Sequence, residues 1–305
     1  MTLQHQESKR PDWLKVRAPT SDKYFEIKDT LKDLKLVTVC QEALCPNIEE
    51  CWKGGTATFM LMGDVCTRAC KFCAVDTGNP KQVLNAKEPE AVGTAISKMN
   101  LKYVVITSVN RDDLPDQGSG HFAETVGFIK NNKPELIVEV LAPDFCGKRD
   151  LIEKLVLGGP DVYAHNVETV ERLTPHVRDR RATYQQSLYV LKTIKEVAAE
   201  HKRTLLTKSS IMLGLGETDE EVIQTLKDLR SVDCDVVTFG QYLKPTNRSL
   251  NVEEFVTPEK FKYWHDFSME LGFAYVASGP LVRSSYKAGE FFIKNILEKR
   301  RNLLH

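Results

Sequence analysis

Between residues 57 and 278, short apolar runs rich in β-branched residues alternate with amphipathic stretches, and that alternation leaves few architectures open. The runs are 57–63 (ATFMLMG), 103–108 (YVVITS), 136–141 (LIVEVL), 161–166 (DVYAHN), 205–212 (LLTKSSIM) and 234–239 (CDVVTF). Apolar character of this length marks parallel strands covered on both faces. Stretches 120–131, 148–157, 183–201 and 218–229 read as helices between them. The last opens with Thr218 and three acidic residues, an N-cap followed by charges that complement the helix dipole. Repeated strand-then-helix order gives a (β/α) barrel or an open doubly wound sheet. About six units are present, short of the eight that close a TIM barrel, so the expected fold is α/β, a partial (β/α)6 TIM-like barrel. Residues 1–55 fall outside the alternation and read as an extension, 56–278 as the barrel, and 279–305 as a loop plus a final helix. All three form one globular unit.

Six of the eight cysteines lie in two tight triplets. Cys66, Cys70 and Cys73 stand in CTRACKFC, a C-x3-C-x2-C array directly after the first apolar run. Cys40, Cys45 and Cys51 form C-x4-C-x5-C upstream. Three thiolates on one short segment suit one face of an iron–sulfur cube, which takes four ligands. Each triplet therefore leaves one iron open or draws a fourth ligand from elsewhere. Disulfides fit poorly, because the first residues show no apolar core of a signal peptide and 305 residues build a core without staples. Structural zinc usually takes C-x2-C pairs that meet another pair, not two triplets. Cys234 reads as a buried strand residue, and Cys146, in APDFCGKRD, as a loop or helix-start cysteine without a role.

Charge is balanced, with 42 basic and 42 acidic residues, so neither nucleic acid nor an anionic membrane surface is favoured as a partner. The basic C-terminal KNILEKRRNLLH reads as a solvated helix face. A hydrophobic content of 42% is that of a globular protein, and no apolar stretch reaches the length of a membrane span. Free cysteines in this number point to a reducing compartment, with the cytoplasm expected and an organelle matrix the alternative.

The first triplet, with the aromatic Phe72 before its last cysteine, resembles the signature of the radical S-adenosylmethionine (SAM) superfamily. Falling after the first strand, it would sit at the C-terminal mouth of the barrel, where this architecture carries its chemistry. The upstream CQEALCPNIEEC resembles the auxiliary-cluster motif of the lipoyl synthase family. Arg283-Ser284-Ser285-Tyr286, in GPLVRSSYKAGE, resembles that family's C-terminal RSSY motif. PDWLKV, TSVNRDDLPDQGSGHF, VYAHNVETVERL, RDRRATYQQSL and IMLGLGETDEEV extend the resemblance through most of the chain.

The resemblance implies two [4Fe–4S] clusters and SAM as cosubstrate. Cys66, Cys70 and Cys73 hold the first cluster, whose open iron takes the amino and carboxylate groups of SAM. Reductive cleavage of SAM then gives a 5′-deoxyadenosyl radical that abstracts hydrogen from an unactivated carbon. Cys40, Cys45, Cys51 and Ser285 hold the auxiliary cluster. The family inserts two sulfurs, at C6 and C8 of an octanoyl chain on the lysine of a lipoyl carrier domain, with the auxiliary cluster as donor. The implied partners are the E2 subunits of 2-oxoacid dehydrogenases, the glycine cleavage H protein, a ferredoxin or flavodoxin, and an iron–sulfur carrier that rebuilds the spent cluster. A monomer is the expected state.

Further residues carry more than one reading. Asn110, Arg111 and Asp112 follow the second strand, where the superfamily binds the methionine end of SAM. Glu168 either hydrogen-bonds SAM or is a helix first-turn carboxylate. Gly214 and Gly216 resemble the glycine-rich stretch that lines the adenine, and a turn into a helix has the same pattern. His121, His165 and His176 read as structural histidines rather than ligands. Arg178, Arg180 and Arg181 form a basic group that either receives an acidic carrier domain or faces solvent. Two rival readings are a radical SAM methylthiotransferase and a non-catalytic iron–sulfur protein. The first lacks support here, because no basic RNA-binding domain follows the barrel.

Overall fold

The computed structural model describes residues 11–15, 20–33, 37–38, 41, 45, 47–54, 56–99, 101–284, 293, 295–297 and 299. Cys40 and Ser285 lie outside the described residues. The extension supplies α1 (Asp22–Asp33), the short β1 (Val37–Thr38) and α2 (Ile48–Gly54). Then come β2 (Thr56–Leu61), β3 (Val65–Cys66), β4 (Asp76–Thr77), α3 (Glu88–Lys98), β5 (Tyr103–Ser108), α4 (Ser119–Asn132) and β6 (Ile137–Leu141). Next are α5 (Arg149–Leu157), β7 (Val162–Ala164), α6 (Thr174–Val177), α7 (Tyr184–Glu200) and β8 (Leu206–Leu213). The chain continues through α8 (Asp219–Ser231), β9 (Val236–Gln241), α9 (Pro258–Glu270) and β10 (Tyr275–Ser278).

One sheet runs β1-β2-β5-β6-β7-β8-β9-β10. β1 is antiparallel to β2, and the seven barrel strands are parallel throughout. Among the described residues the two ends of this order are not paired, which makes it a partial barrel. Six strand-then-helix units fit the expectation, and β10 adds a seventh strand. The short β3 and β4 pair only with each other, on the loop that follows β2.

Side-chain alternation along each strand explains the layers. On β5, Val104 and Ile106 join Val92 and Ile96 of α3 and Phe122 and Val126 of α4 in one buried cluster. Their neighbours Tyr103 and Val105 face the barrel interior, where they pack with Ile137, Val162, Leu206, Ile293 and Leu297. These strand residues come from the N-terminal halves of β5 to β8, so Ile293 and Leu297 plug the floor of the barrel. Burying each contributes about 2 kcal/mol. Above the plug, Lys208 of β8 forms two 2.9 Å hydrogen bonds to the Glu139 carboxylate of β6, which also accepts from the Tyr103 hydroxyl. Functional loops are thereby left to the opposite, C-terminal mouth.

The extension shares the barrel's core. Tyr24 stacks on Trp52 at 5.1 Å, and Ile27, Cys51 and Trp52 belong to the same cluster as Phe59. Cys234 is buried as expected but precedes β9 in the turn that leads into it. Cys146 lies in the short 3-10 turn Phe145–Gly147. Thr218 caps α8 as expected: its hydroxyl accepts from Glu221 N (3.4 Å), and its own N–H donates to Glu221 Oε2 (2.8 Å).

Candidate functional site

The loop of residues 66–73 leaves the C-terminal end of β2 and is fastened to the loops behind four other strands. After β5, Asn110 O accepts from Thr67 N (3.0 Å), while the Thr67 hydroxyl lies 2.6 Å from Asp112 Oδ2. After β6, Asp144 binds Arg68. After β7, Val177 O accepts from Lys71 N (2.9 Å) and Asp179 Oδ2 accepts from Ala69 N (3.0 Å). After β9, Leu250 N donates to Lys71 O (3.2 Å). The cysteine loop is therefore part of the barrel's mouth.

Backbone N–H groups meet the sulfurs of two of its cysteines. Asn110 N and Arg68 N donate to Cys66 Sγ (3.3 and 3.4 Å), and Asp179 N donates to Cys70 Sγ (3.3 Å). Burial pushes the Cys70 thiol up to about 11, and Cys73, although at the surface, is also raised by the protein packed around it. Among the described residues no three His, Cys, Asp or Glu side chains converge on a single-ion position. The fit of this loop to a metal centre rests on thiolate chemistry and on N–H donors that favour anionic sulfur.

Glu168 stands beside this loop. It follows β7 in the left-handed region (φ 68°), strapped to β8 by its N–H to Ser210 O (3.0 Å) and its carbonyl to Met212 N (2.8 Å). A non-glycine residue held there is strained and needs its surroundings to fix it. Burial raises its carboxyl, opposed by the Arg178 charge and a 3.1 Å hydrogen bond from Asn166 Nδ2. Its place just after the C-terminal end of β7 puts it at the mouth, where its charge raises Cys70 and Cys73.

The other sequence candidates separate. Asn110 meets Cys66 through its backbone. Arg111 is buried and turned to protein: Nε and Nη2 hold Asp113 (2.8 and 2.9 Å), Nη2 also reaches Val83 O, and Nη1 reaches Met62 O. The Asp112 carboxylate is taken by Arg68 and Thr67, and these hydrogen bonds hold it below the usual carboxylate range against the opposing effect of burial. Gly214 and Gly216, at φ 95° and 96°, form the turn into α8, which the Glu217 carboxylate closes on Gly214 N (2.5 Å) and Leu215 N (2.9 Å). A side chain at Gly214 would strike Gln241 and the Glu254 carbonyl.

His121 pairs with Glu88 (2.6 Å), and His176 is exposed. His165 lies between Ala142 O and Ser187 Oγ, 3.0 Å from each, and burial lowers it to about 4. The three arginines are not one patch. Arg178 is buried and donates to Ser187 Oγ (2.7 Å), Arg181 pairs with Asp179 (2.8 Å), and Arg180 alone is simply exposed.

The second triplet presents Cys45 and Cys51 at either end of the turn into α2. Ile48 N donates to Cys45 O (3.3 Å) and Cys51 N to Asn47 O (2.9 Å). Burial raises the Cys45 thiol, while the Arg283 charge lowers it. Asn47 Nδ2 also donates to Leu281 O. Residues 281–283 are pressed onto β9 so closely that a side chain on Gly240 would fall on the Val282 carbonyl. Sequence reading missed Arg68, Asp144 and Asp179. The available signal was carboxylates directly behind barrel strands, which need a cation if buried.

Comparison with known proteins gives the lineage. A profile of the radical SAM superfamily matches residues 60–229, and one of the N-terminal domain of lipoyl synthase matches residues 1–45. The mitochondrial lipoyl synthase of Eremothecium gossypii is 59% identical over 301 residues, spanning 97% of this chain and 80% of that protein. The chain belongs to the lipoyl synthase family. It is a sulfurtransferase of the radical SAM class, and membership brings a [4Fe–4S] cluster and SAM. Lipoyl synthase 1, mitochondrial, of Phaeodactylum tricornutum is 56% identical (96% of this chain, 77% of that one). The apicoplast lipoyl synthase of Plasmodium yoelii yoelii is also 56% identical (96% and 58%).

Among solved structures, methylornithine synthase superposes with a TM-score of 0.55 at 12% identity, covering 93% of this chain and 95% of that one. The [FeFe]-hydrogenase maturase HydG of Carboxydothermus hydrogenoformans gives 0.56 at 13% identity, covering 91% and 78%. At such identities the likeness is one of fold, the partial barrel. The cytoplasmic expectation is corrected by these relatives, whose names place them in mitochondria or the apicoplast. Free thiols specify a reducing space without saying which. Among the described residues no helix is long and apolar enough to cross a membrane.

Proposed function

We propose that this lipoyl synthase family member carries two [4Fe–4S] clusters and inserts sulfur at C6 and C8 of an octanoyl chain on the lysine of a lipoyl carrier domain. Cys66, Cys70 and Cys73 hold the cluster that binds SAM. Cys40, Cys45, Cys51 and Ser285 hold the second. When bound, the clusters and SAM supply reductive cleavage of a sulfonium, a hydrogen-abstracting radical and sulfide for transfer.

The chain's own residues supply position and charge. Asn110 N and Asp179 N donate to the Cys66 and Cys70 sulfurs (3.3 Å each) and stabilise them as thiolates. Asn110 and Glu168, beside those sulfurs, contact SAM. Gly214 and Gly216 shape its adenine wall, while Asp112 braces the cysteine loop through Thr67 and Arg68, and Arg111 ties the loop after the second barrel strand to Met62 and Val83. The polar mouth loops close over a barrel plugged at its floor, which keeps water from the reacting carbon.

One observation carries the second cluster. Leu281, four residues before Ser285, accepts from Asn47 Nδ2, and Asn47 lies between Cys45 and Cys51. Two distant parts of the chain are thus brought to one place, as a Cys3Ser ligand set needs. The extension 1–55, barrel 56–278 and C-terminal segment 279–305 act as one globular unit on this reading. Carrier substrates are the E2 subunits of 2-oxoacid dehydrogenases and the H protein. Electrons come from a ferredoxin or flavodoxin, and an iron–sulfur carrier rebuilds the spent cluster. The enzyme works as a monomer inside an organelle, as the compartments named for its relatives suggest.

Anaerobic purification tests the reading. About eight irons per chain and SAM-derived 5′-deoxyadenosine on reduction are expected for two cubane clusters. Four irons per chain at full reconstitution would remove the second cluster, and iron without SAM cleavage would favour a non-catalytic iron–sulfur protein.

A further inference from the structure

Arg68 lies inside the first cysteine motif, yet its side chain is turned away from solvent, only 2% exposed. Its guanidinium grips two carboxylates at once. Nε and Nη2 hold Asp112, behind β5, at 3.0 and 2.8 Å. Nη1 and Nη2 hold Asp144, behind β6, at 2.5 and 2.7 Å. Both pairs are bidentate, a geometry the planar guanidinium offers and an ammonium does not. Burying three charges carries a heavy desolvation cost, and apolar side chains of the same size usually serve stability as well or better. What the charged set adds is fixed geometry.

That geometry leads to the sulfurs. Asp112 N donates to Thr67 Oγ1 (3.1 Å), and the Thr67 hydroxyl reaches both Asp112 Oδ2 (2.6 Å) and Asn110 O (2.9 Å). Asn110 N donates to Cys66 Sγ, as does the backbone N–H of Arg68 itself. On the other side Arg181 bridges Asp112 (3.5 Å) and Asp179 (2.8 Å), and its Nη2 donates to Thr67 O (2.6 Å). Asp179 is the residue whose N–H meets Cys70 Sγ. Each N–H donor to a sulfur is thus one link from the Arg68 network.

We propose that Arg68, through Asp112 and Asp144 and with Arg181, is a positioning residue that holds the Asn110 and Asp179 N–H groups on the Cys66 and Cys70 sulfurs and thereby sets the reduction potential of the cluster they bind. Hydrogen bonds to cluster sulfurs favour the more negative, reduced state. Loss of the grip therefore moves the potential to more negative values. The proposal rests on Cys66, Cys70 and Cys73 being the cluster ligands.

The test uses the full chain with Arg68→Lys, Arg68→Met and Asp144→Asn. In reduced, metal-free protein, alkylation is followed at each cysteine by mass spectrometry. Arg68→Met should speed modification of Cys66 and Cys70 roughly tenfold through more frequent local opening, leaving Cys45, Cys51 and Cys234 unchanged. Arg68→Lys, which keeps the charge without the fork, and Asp144→Asn should fall between, and they serve if Arg68→Met does not fold. In reconstituted protein the SAM-cluster potential should become more negative in the same order. Unchanged rates at Cys66 and Cys70, equal acceleration at all cysteines, or an unshifted potential would reduce Arg68 to a fold-stabilising residue. If Cys66→Ala kept all its iron, the ligand assignment itself would be wrong, an outcome the metal-free rates do not depend on.

Discussion

The two cysteine segments are anchored in opposite ways. The loop 66–73 leaves and rejoins the barrel and is tied to four strand-end loops, with Arg68 as a buried staple. The segment 45–51 belongs to the extension, packs on the barrel core through Cys51, and meets the stretch 281–283 from the other end of the chain through Asn47. The first centre is fixed by the barrel itself. The second lies where two far parts of the sequence meet on the barrel's flank, with Cys51 in the shared core. On the proposed reading, that difference suits one cluster that persists through turnover and one that surrenders sulfide.

The largest expected effect breaks the comparison cleanly. Cys66→Ala, Cys70→Ala or Cys73→Ala should abolish SAM cleavage, measured as 5′-deoxyadenosine. Cys40→Ala, Cys45→Ala or Cys51→Ala should retain part of that cleavage yet form no sulfur product. Equal loss in both sets would erase the distinction.

Ser285→Cys sharpens it from the other side. An alkoxide is a harder ligand than thiolate, and the hypothesis is that the iron it holds leaves more readily. The variant should keep full iron content while thiolation falls by an order of magnitude or more. Undiminished product from it would dismiss that role for the serine.

Gly240→Ala probes the meeting point itself. The added methyl falls on the Val282 carbonyl, and displacing a tight backbone contact costs about 1–3 kcal/mol. Iron at the second centre should drop while SAM cleavage survives. Loss of both together would mean that the two centres do not separate.

The smallest effect concerns pH. His165, behind the first loop, is neutral in the fold: Nδ1–H donates to Ala142 O, and Ser187, itself receiving Arg178 Nη1, donates to Nε2. Its folded value of about 4 lies below the ordinary 6.5, so protonation favours the unfolded chain. Its share of stability is full above pH 6.5 and is lost as pH falls toward 4, up to about 3 kcal/mol. Denaturant melts of His165→Gln should show a flatter pH dependence over that window than the parent. Parallel curves would contradict the assignment.

Most of the barrel was legible because strands buried on both faces leave continuous apolar runs. β10 was not, since Tyr275–Ser278 is four residues long and follows α9, whose Tyr263, Trp264 and Phe267 obscure the helical pattern. The cysteines announced themselves by spacing alone. Their support did not, because Arg68 meets Asp112 and Asp144 across 44 and 76 residues of sequence. Arg178 and Arg181 look alike in the chain, yet one is buried against Val167 and Ser187 and the other pairs with Asp179 at the surface. Local charge shows neither direction nor partner. Cys40 and Ser285 lie outside the described residues, and the proposed second site draws on Cys45, Cys51 and the Asn47–Leu281 contact between the two ends of the chain.

The most direct measurement is mass spectrometry of an octanoyl-lysine peptide after anaerobic incubation with SAM and reductant, using enzyme whose clusters were rebuilt with heavy-isotope sulfide. A product carrying two sulfur atoms, both labelled, is expected from the parent chain and absent from Cys45→Ala. Unlabelled sulfur in the product, or labelled product from Cys45→Ala, would contradict a sulfur-donating centre at the junction of the two chain ends.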